Sequence, residues 1–448
     1  LTLLDSGMLF VAFPFLEEQF VDDASRTTLS WAVTIFFVVM VSTLLVAGRV
    51  ADRYGRKRVF LSGLLLFGAA ALVAATTTNV GVLVVARAVQ GLGVALLAPS
   101  ALALALPEFP NERRAFALGV WGTIGGTAGL AASPLGAGVV ELFGWRGVFA
   151  FNGIVALVMA GIGVVVLEER RNDKDGTGGP IDVIGAMLAM LAVGALAIVL
   201  VQGSDWGWGS SRTIVVAGLC AVATTWFVRR NAQMAEPLVD AAIFRNRRFA
   251  VASVASVMSQ LGFFSAYFGI PLYMAEVWEW SPAQVGIGLL PLNAVSVLAA
   301  VPAGRLVDRY GPRGMILFGG TLAAACYLAM GLWLTEAGYI WLAFGMGFAG
   351  LGAVAIGNHT TVAALRDVDD ADLGSANAGY FMTRRLGSAL GAVAVPAIVG
   401  NRTGAAFADA YLGVWVFGSA VYLFGGLVVW FLYPPWAKAS DAPSSQPA

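Results

Sequence analysis

The chain is built from apolar runs of roughly twenty residues parted by short charged or glycine-rich turns, and that alternation leaves few folds open. A helix rising about 1.5 Å per residue needs roughly 20 apolar residues to cross a hydrocarbon layer ~30 Å thick. Fourteen runs approach or exceed that length, over 2–18, 29–49, 59–77, 79–105, 115–140, 146–167, 182–202, 212–228, 249–274, 283–304, 314–335, 339–363, 377–400 and 410–433. Only 12% of the 448 residues are charged, against about 25% in a soluble domain. The expected fold is therefore an all-α membrane protein with 14 transmembrane helices.

One turn occurs twice. Gly48-Arg49-Val50-Ala51-Asp52-Arg53-Tyr54-Gly55 is matched by Gly304-Arg305-Leu306-Val307-Asp308-Arg309-Tyr310-Gly311, with Gly, Arg, Asp, Arg, Tyr and Gly recurring in place. Each copy follows one apolar run and precedes another. A charged turn repeated in two halves of a hydrophobic chain points to two related bundles, the usual build of a secondary transporter.

Lys and Arg orient the spans. With both ends on one side, the loops and tail of that side hold 20 of the 27 basic residues, and the opposite loops hold four. The positive-inside rule makes the basic side cytoplasmic. The two turns then follow spans 2 and 10, at equivalent places in two six-helix bundles. The expected organisation is an N-terminal bundle over 1–172, a linker with an inserted helix pair over 173–236, an amphipathic connector with the C-terminal bundle over 237–434, and a disordered cytoplasmic tail over 435–448. In the connector, Leu238, Ile243 and Phe244 oppose Arg245, Arg247 and Arg248.

Zero net charge gives no sign of a nucleic-acid partner. Cys220 and Cys326, each inside an apolar run, read as packing residues, and the single histidine, His359, argues against a histidine metal site. No phosphate-binding Gly-x-x-x-x-Gly-Lys-Ser/Thr segment occurs, so neither ATP nor any other cofactor is implied. The chain opens on Leu1, so the natural start is expected to lie upstream.

The repeated turn resembles the signature loop of the major facilitator superfamily. Leu83-Val84-Val85-Ala86-Arg87-Ala88-Val89-Gln90-Gly91 is similar to the span-4 motif of drug:proton antiporters. Gly125-Gly126-Thr127-Ala128-Gly129 through Ser133-Pro134-Leu135-Gly136-Ala137-Gly138 resembles their antiporter motif, departing from it at Ser133 and Ala137. Leu4-Asp5-Ser6, Trp145-Arg146-Gly147, Trp206-Gly207-Trp208 and Arg384-Arg385-Leu386-Gly387 extend the likeness to the fourteen-helix drug:proton antiporter family over essentially the whole chain. The resemblance implies a major-facilitator-like fold, two six-helix bundles plus an inserted pair, and no enzymatic activity. It also implies proton-coupled export of small amphipathic or cationic drugs across the plasma membrane by alternating access. A dedicated exporter of a metabolite, lipid or self-made antibiotic would share these motifs, and an uncoupled facilitator is the other alternative. The expected partners are a small-molecule substrate, protons and membrane lipid, around a monomer.

Candidate site residues follow from chemistry and from that likeness. Gly48 and Gly55 allow a tight reversal, Asp52 suits a helix N-terminus, and the basic cluster with Arg53 and Arg56 can bridge to the other bundle. The family implies a gating role for this turn and offers Asp308 the same one; the plain alternative is a solvated turn on anionic lipid. In span 5, Gly125 and Gly129 allow close helix approach, Pro134 supplies a bend, and Gly138 closes the motif.

Ionisable groups inside a membrane are costly and are the functional candidates. Asp5 in span 1 can take a proton from one side and release it to the other, or serve a competing cation; its alternative is an interfacial acid. Glu17 and Glu18, at the far end of that span, read as solvated. Arg87 reads as a fixed charge that relays with a carboxylate or as a structural hub, and Arg384 and Arg385 in span 13 lack an evident partner. Gln260, Phe264, Tyr267 and Asn293 are candidates for the substrate cavity, against a plain packing role.

Overall fold

A computed structural model describes residues 1–105, 108–110, 113–168, 182–234, 237, 243–334, 336–366, 368 and 373–434. The described residues form helices and turns without strands. In chain order the helices are α1 (Thr2–Gln19), α2 (Arg26–Leu29), α3 (Trp31–Tyr54), α4 (Arg56–Thr76), α5 (Val80–Ala105), α6 (Arg114–Val166) and α7 (Val183–Trp206). They continue as α8 (Ser211–Gln233), α9 (Arg247–Trp278), α10 (Pro282–Gly288), α11 (Leu290–Ala329), α12 (Tyr339–Leu365), α13 (Leu373–Val399) and α14 (Gly404–Leu432).

Eleven stretches among the described residues are long and apolar enough to cross a membrane, so this is a multi-pass membrane protein. The sequence suggests fourteen, and the difference has physical causes. Two expected spans run together in α6, whose Thr123–Val166 portion is one apolar stretch. Helices α1, with Asp5, Glu17 and Glu18, and α13, with Arg384 and Arg385, are more polar and stand outside the eleven.

Glycine sets the reversals. Gly55 ends α3 at φ 97° and ψ 132°, and Gly311 interrupts α11 at φ 74° and ψ 163°. These are the same glycine of the two repeated turns, and both hold backbone that an L side chain rarely adopts. In α6 the helix continues through Pro134, and its non-helical residue is Gly144 (φ 68°, ψ −178°), which parts the two expected spans.

The helices pack as two halves. Within the first, α1 packs on α6, α3 on α5, and α4 on both α5 and α6. In the second, α9 packs on α12, α13 and α14, and α11 on α12 and α14. The halves meet through α1 with α9, α3 with α13, and α6 with α10 and α11. Helix α7 lies against both α3 and α13, and α8 lies on α7 with most of its surface exposed. Arg230 Nε joins Asp182 Oδ1 at 2.9 Å, and that carboxylate also accepts the Gly185 N–H at the start of α7.

An aromatic seam fills the middle of the interface. Phe10 and Phe13 of α1 lie 5.1 and 5.0 Å from Phe268 of α9, and Phe37 of α3 lies 5.4 Å from Phe264. Beyond it, toward the repeated turns, the facing glycines have little against them. A Cβ on Gly125 or Gly129 would meet nothing within 4 Å, and one on Gly126 would touch only Val297, at 3.8 Å. Among the described residues, no helix packs against the Cα face of Gly125 or Gly129 in this conformation. A close approach is found one motif step later, where a Cβ on Gly136 would run into the backbone of Met8. Gly138 has nothing within 4 Å.

Of the amphipathic connector, Ile243–Arg245 forms one 3-10 turn with Phe244 edge-on to Phe249 at 5.1 Å. Leu238, the polar linker at 169–181 and the tail from 435 lie outside the described residues.

Candidate functional site

Asp5 sits in the first turn of α1, and Arg87 sits in the first third of α5. The fold brings these two candidates together. Arg87 Nη1 donates to Asp5 Oδ2 at 3.0 Å and to Oδ1 at 3.3 Å, with both residues fully buried. The same nitrogen reaches Gln90 Oε1 at 2.9 Å, and Arg87 Nε donates to the Ala32 carbonyl of α3 at 2.8 Å. The guanidinium lies 4.3 Å from the Phe36 ring centre. One arginine thus ties α1, α3 and α5 around a carboxylate that has no contact with solvent. The reading of Asp5 as an interfacial acid does not survive its burial.

A second charge cluster closes the end opposite the repeated turns. Arg26, at the start of α2, meets Glu17 Oε1 of α1 at 2.6 Å and Glu276 Oε1 of α9 at 2.5 Å. Its third bond goes to the Arg402 carbonyl at 2.8 Å, and its guanidinium lies 4.9 Å from the Phe407 ring centre. Beside it, Thr27 donates its N–H and hydroxyl to Asn401 Oδ1, and Asn401 donates to Asp205 at the end of α7. Glu17, expected in solvent, is buried, because Arg26 folds back over the end of α1. Sequence reasoning missed this clamp. Arg26 reads as one loop charge, and the only hint is that Glu17, Arg26 and Glu276 all fall at the same end of their spans.

The cavity candidates take different places. Phe264 belongs to the aromatic seam, 6.3 Å from Phe10. The Tyr267 hydroxyl reaches Ser133 Oγ at 3.3 Å and the Gly129 carbonyl at 3.4 Å, linking α9 to the antiporter segment of α6. Asn293, also buried, faces Tyr267. Gln260 donates to Ser388 Oγ at 3.2 Å within the second half. Arg384 and Arg385 are partly buried in α13. His359 is buried, and Cys220 directs its thiol to the Ala192 carbonyl at 3.4 Å.

The first repeated turn is bound largely to its own half. Asp52 lies not at a helix N-terminus but in the last turn of α3, and at that C-terminal end the helix dipole disfavours a carboxylate. Arg56, opening α4, offsets that charge at 3.2 Å. Lys57 donates to the Val164 and Leu167 carbonyls, capping α6, and Arg49 reaches the Pro237 carbonyl in the connector at 2.8 Å. Arg53 stays local, its guanidinium 5.9 Å from the Tyr54 ring centre. A Cβ on Gly48 would meet nothing within 4 Å, so the close packing expected there is absent in this state, while Gly55 makes the reversal. The Asp308 side chain lies outside the described residues.

The chain is similar to several known proteins. The chain is 28% identical over 406 residues to a tetracenomycin C resistance and export protein of Streptomyces glaucescens, covering 91% of this chain and 75% of that one. It is 28% identical to a methylenomycin A resistance protein of Bacillus subtilis, covering 91% and 86%. It is 29% identical to the drug efflux pump JefA of Mycobacterium tuberculosis, covering 91% and 79%. Among solved structures, a D-xylose-proton symporter superposes with a TM-score of 0.67 at 15% identity over 97% of both chains, a likeness of fold alone. The sequence pattern of the Major Facilitator Superfamily matches residues 1–252 and again 252–448, and the chain belongs to that family of membrane transporters.

Proposed function

We propose that this protein is a proton-coupled antiporter that exports small amphipathic compounds across the plasma membrane, with both termini cytoplasmic. The observation that carries the reading is the buried Asp5–Arg87 pair, in a chain whose relatives are named for resistance and efflux. A proton reaching Asp5 cancels one partner of the pair and releases α1 from α5. Helix α1 also carries Phe10 and Phe13 of the seam and Glu17 of the clamp. Protonation at one end of this rod is thereby linked to the contacts that hold the halves together at the other. The closed clamp and the sparse packing of Gly125 and Gly129 correspond to a cytoplasm-facing state. One proton moving down ~100 mV supplies about 2.3 kcal/mol, enough for roughly a fifty-fold solute gradient. A cation seeking Asp5 has to displace Arg87 first, so we favour amphipathic character over positive charge in the substrate.

The test follows internal pH in proteoliposomes with an imposed proton gradient, on adding ethidium or naphthalene sulfonate. Proton movement triggered by either compound in wild type and lost in Asp5→Asn supports coupling through that carboxylate. Movement equal in both proteins puts the proton site elsewhere. No movement with either compound, for folded protein, rejects both as coupled substrates and favours a dedicated metabolite exporter or an uncoupled facilitator.

A further inference from the structure

The other buried charges of the site are matched. Asp5 faces Arg87, and Glu17 and Glu276 share Arg26. Arg384 and Arg385 break that rule. They are consecutive in α13 and partly buried, and no carboxylate among the described residues pairs with either. Ionisable side chains inside a spanning helix face the bundle interior or a water-filled cavity and mark candidate transport paths.

Their placement favours that path. Helices α9 and α13 run side by side in the same direction, with Gly387 against Val257 and Gly391 against Leu261 and Phe264. Arg384 therefore lies roughly 10 Å from the level of Phe264, on the side of the repeated turns, where the halves stand apart. Neighbouring residues on a helix point about 100° apart, so the two guanidiniums leave α13 in different directions. Arg384 borders a space left by a glycine. A Cβ on Gly357 of α12 would lie 4.0 Å from Arg384 Nη2 and 3.8 Å from Ser259 Oγ of α9. Arg385 lies on the side of the first half, near the start of α1 at Leu1 and Asp5.

We propose that Arg384 and Arg385 form an anion subsite in the transport path, and that the compounds this protein moves carry an acidic group such as a carboxylate, sulfonate or ionised phenol. The assignment rests on the transport reading above and names its substrate class. With Asp5 matched by Arg87, the described charges bordering the path leave two arginines in excess, which attract organic anions and repel cations. Guanidinium groups also match such acids in geometry, through paired N–H donors. Closing the turn end over an empty site would bury two bare cations, so closure favours the loaded protein.

The test is calorimetric titration of naphthalene sulfonate and of ethidium into the full chain in lipid nanodiscs. Wild type is compared with R384Q/R385Q, R384K/R385K and each single glutamine variant. Naphthalene sulfonate is expected to bind wild type and to lose at least about tenfold in affinity in the double glutamine protein, with intermediate losses in the singles and in the lysine protein, which keeps the charge without the paired donors. Ethidium is expected to bind the glutamine protein no more weakly than wild type. The subsite is overturned if sulfonate does not bind wild type, or binds the glutamine variants equally well. If the double variant does not fold, the single variants decide on the same criterion. Sulfonate binding that tracks the arginines, combined with silence in the vesicle assay, keeps the subsite and removes the coupling of sulfonate to protons. Proton movement with ethidium, combined with indifference to sulfonate, removes the subsite alone.

Discussion

Tyr267 of the second half seats its hydroxyl in the space that a side chain on Gly7 would fill in the first. Ala132 of α6 closes the same space from a third side, so α1, α6 and α9 meet at a point with no room for a methyl group. Gly7→Ala is expected to force the halves apart there and to lower transport in proteoliposomes. Adding Tyr267→Phe removes the hydroxyl that the new methyl meets and should restore part of the rate. Additive losses in the double variant would show that the two residues are not coupled.

Removing one partner of the buried pair should cost more than removing both charges. Arg87→Gln leaves Asp5 buried and unmatched, a loss of about 3–5 kcal/mol in comparable ion pairs. The double variant D5N/R87Q should recover much of the melting temperature while remaining inactive in proton coupling. Equal melting of R87Q and D5N/R87Q would show that Asp5 is not held by this arginine.

The clamp makes a prediction about access. Arg26→Gln removes the cation shared by Glu17 and Glu276 and sets two carboxylates against each other. A cysteine placed at Phe13, with Cys220 and Cys326 replaced by alanine, should then react several-fold faster with an impermeant maleimide added outside. In E17Q/R26Q/E276Q the repulsion is gone, and the rate should fall back toward that of the parent. An unchanged rate in R26Q would mean that the aromatic seam alone closes this end.

The repeated turns separate conformational need from packing. Gly55→Ala and Gly311→Ala put a side chain on positive-φ backbone, at a cost of about 1–3 kcal/mol each, and should lower the melting temperature. Gly48→Ala adds a methyl group with nothing within 4 Å and should leave it unchanged. A transport defect in G48A at full thermal stability would place the glycine's role in the opposite conformation of the cycle.

Much of the fold was legible because lipid leaves little choice in the sequence. Apolar runs, basic loops and a repeated turn are long-range patterns that hold before any side chain is placed. Asp5 and Arg87 stood out for a related reason, since a charge in an apolar run is conspicuous, and their pairing then followed from the packing of α1 on its neighbours. The clamp was not legible. Glu17, Arg26, Glu276 and Asn401 are each unremarkable at a helix end, and only the meeting of α1, α2, α9 and the α13–α14 turn makes them a unit. The glycine pattern at Gly125 and Gly129 marks where helices can approach, and it carries no information on the state in which they do so.

The position of α7 makes the two sides of the interface unequal. It lies against both α3 and α13, with α8 as an outer layer. A lipid-dissolved molecule drifting along the bilayer meets two layers of helix on that flank. On the other flank, α6 and α11 face each other without such a cover, and Ile124 and Leu298 there are 62% and 75% exposed. The protein thus has a walled flank and a doorway flank. Among the described residues, a lipid-dissolved molecule approaching from within the bilayer would meet a single layer of helix on the α6–α11 flank alone.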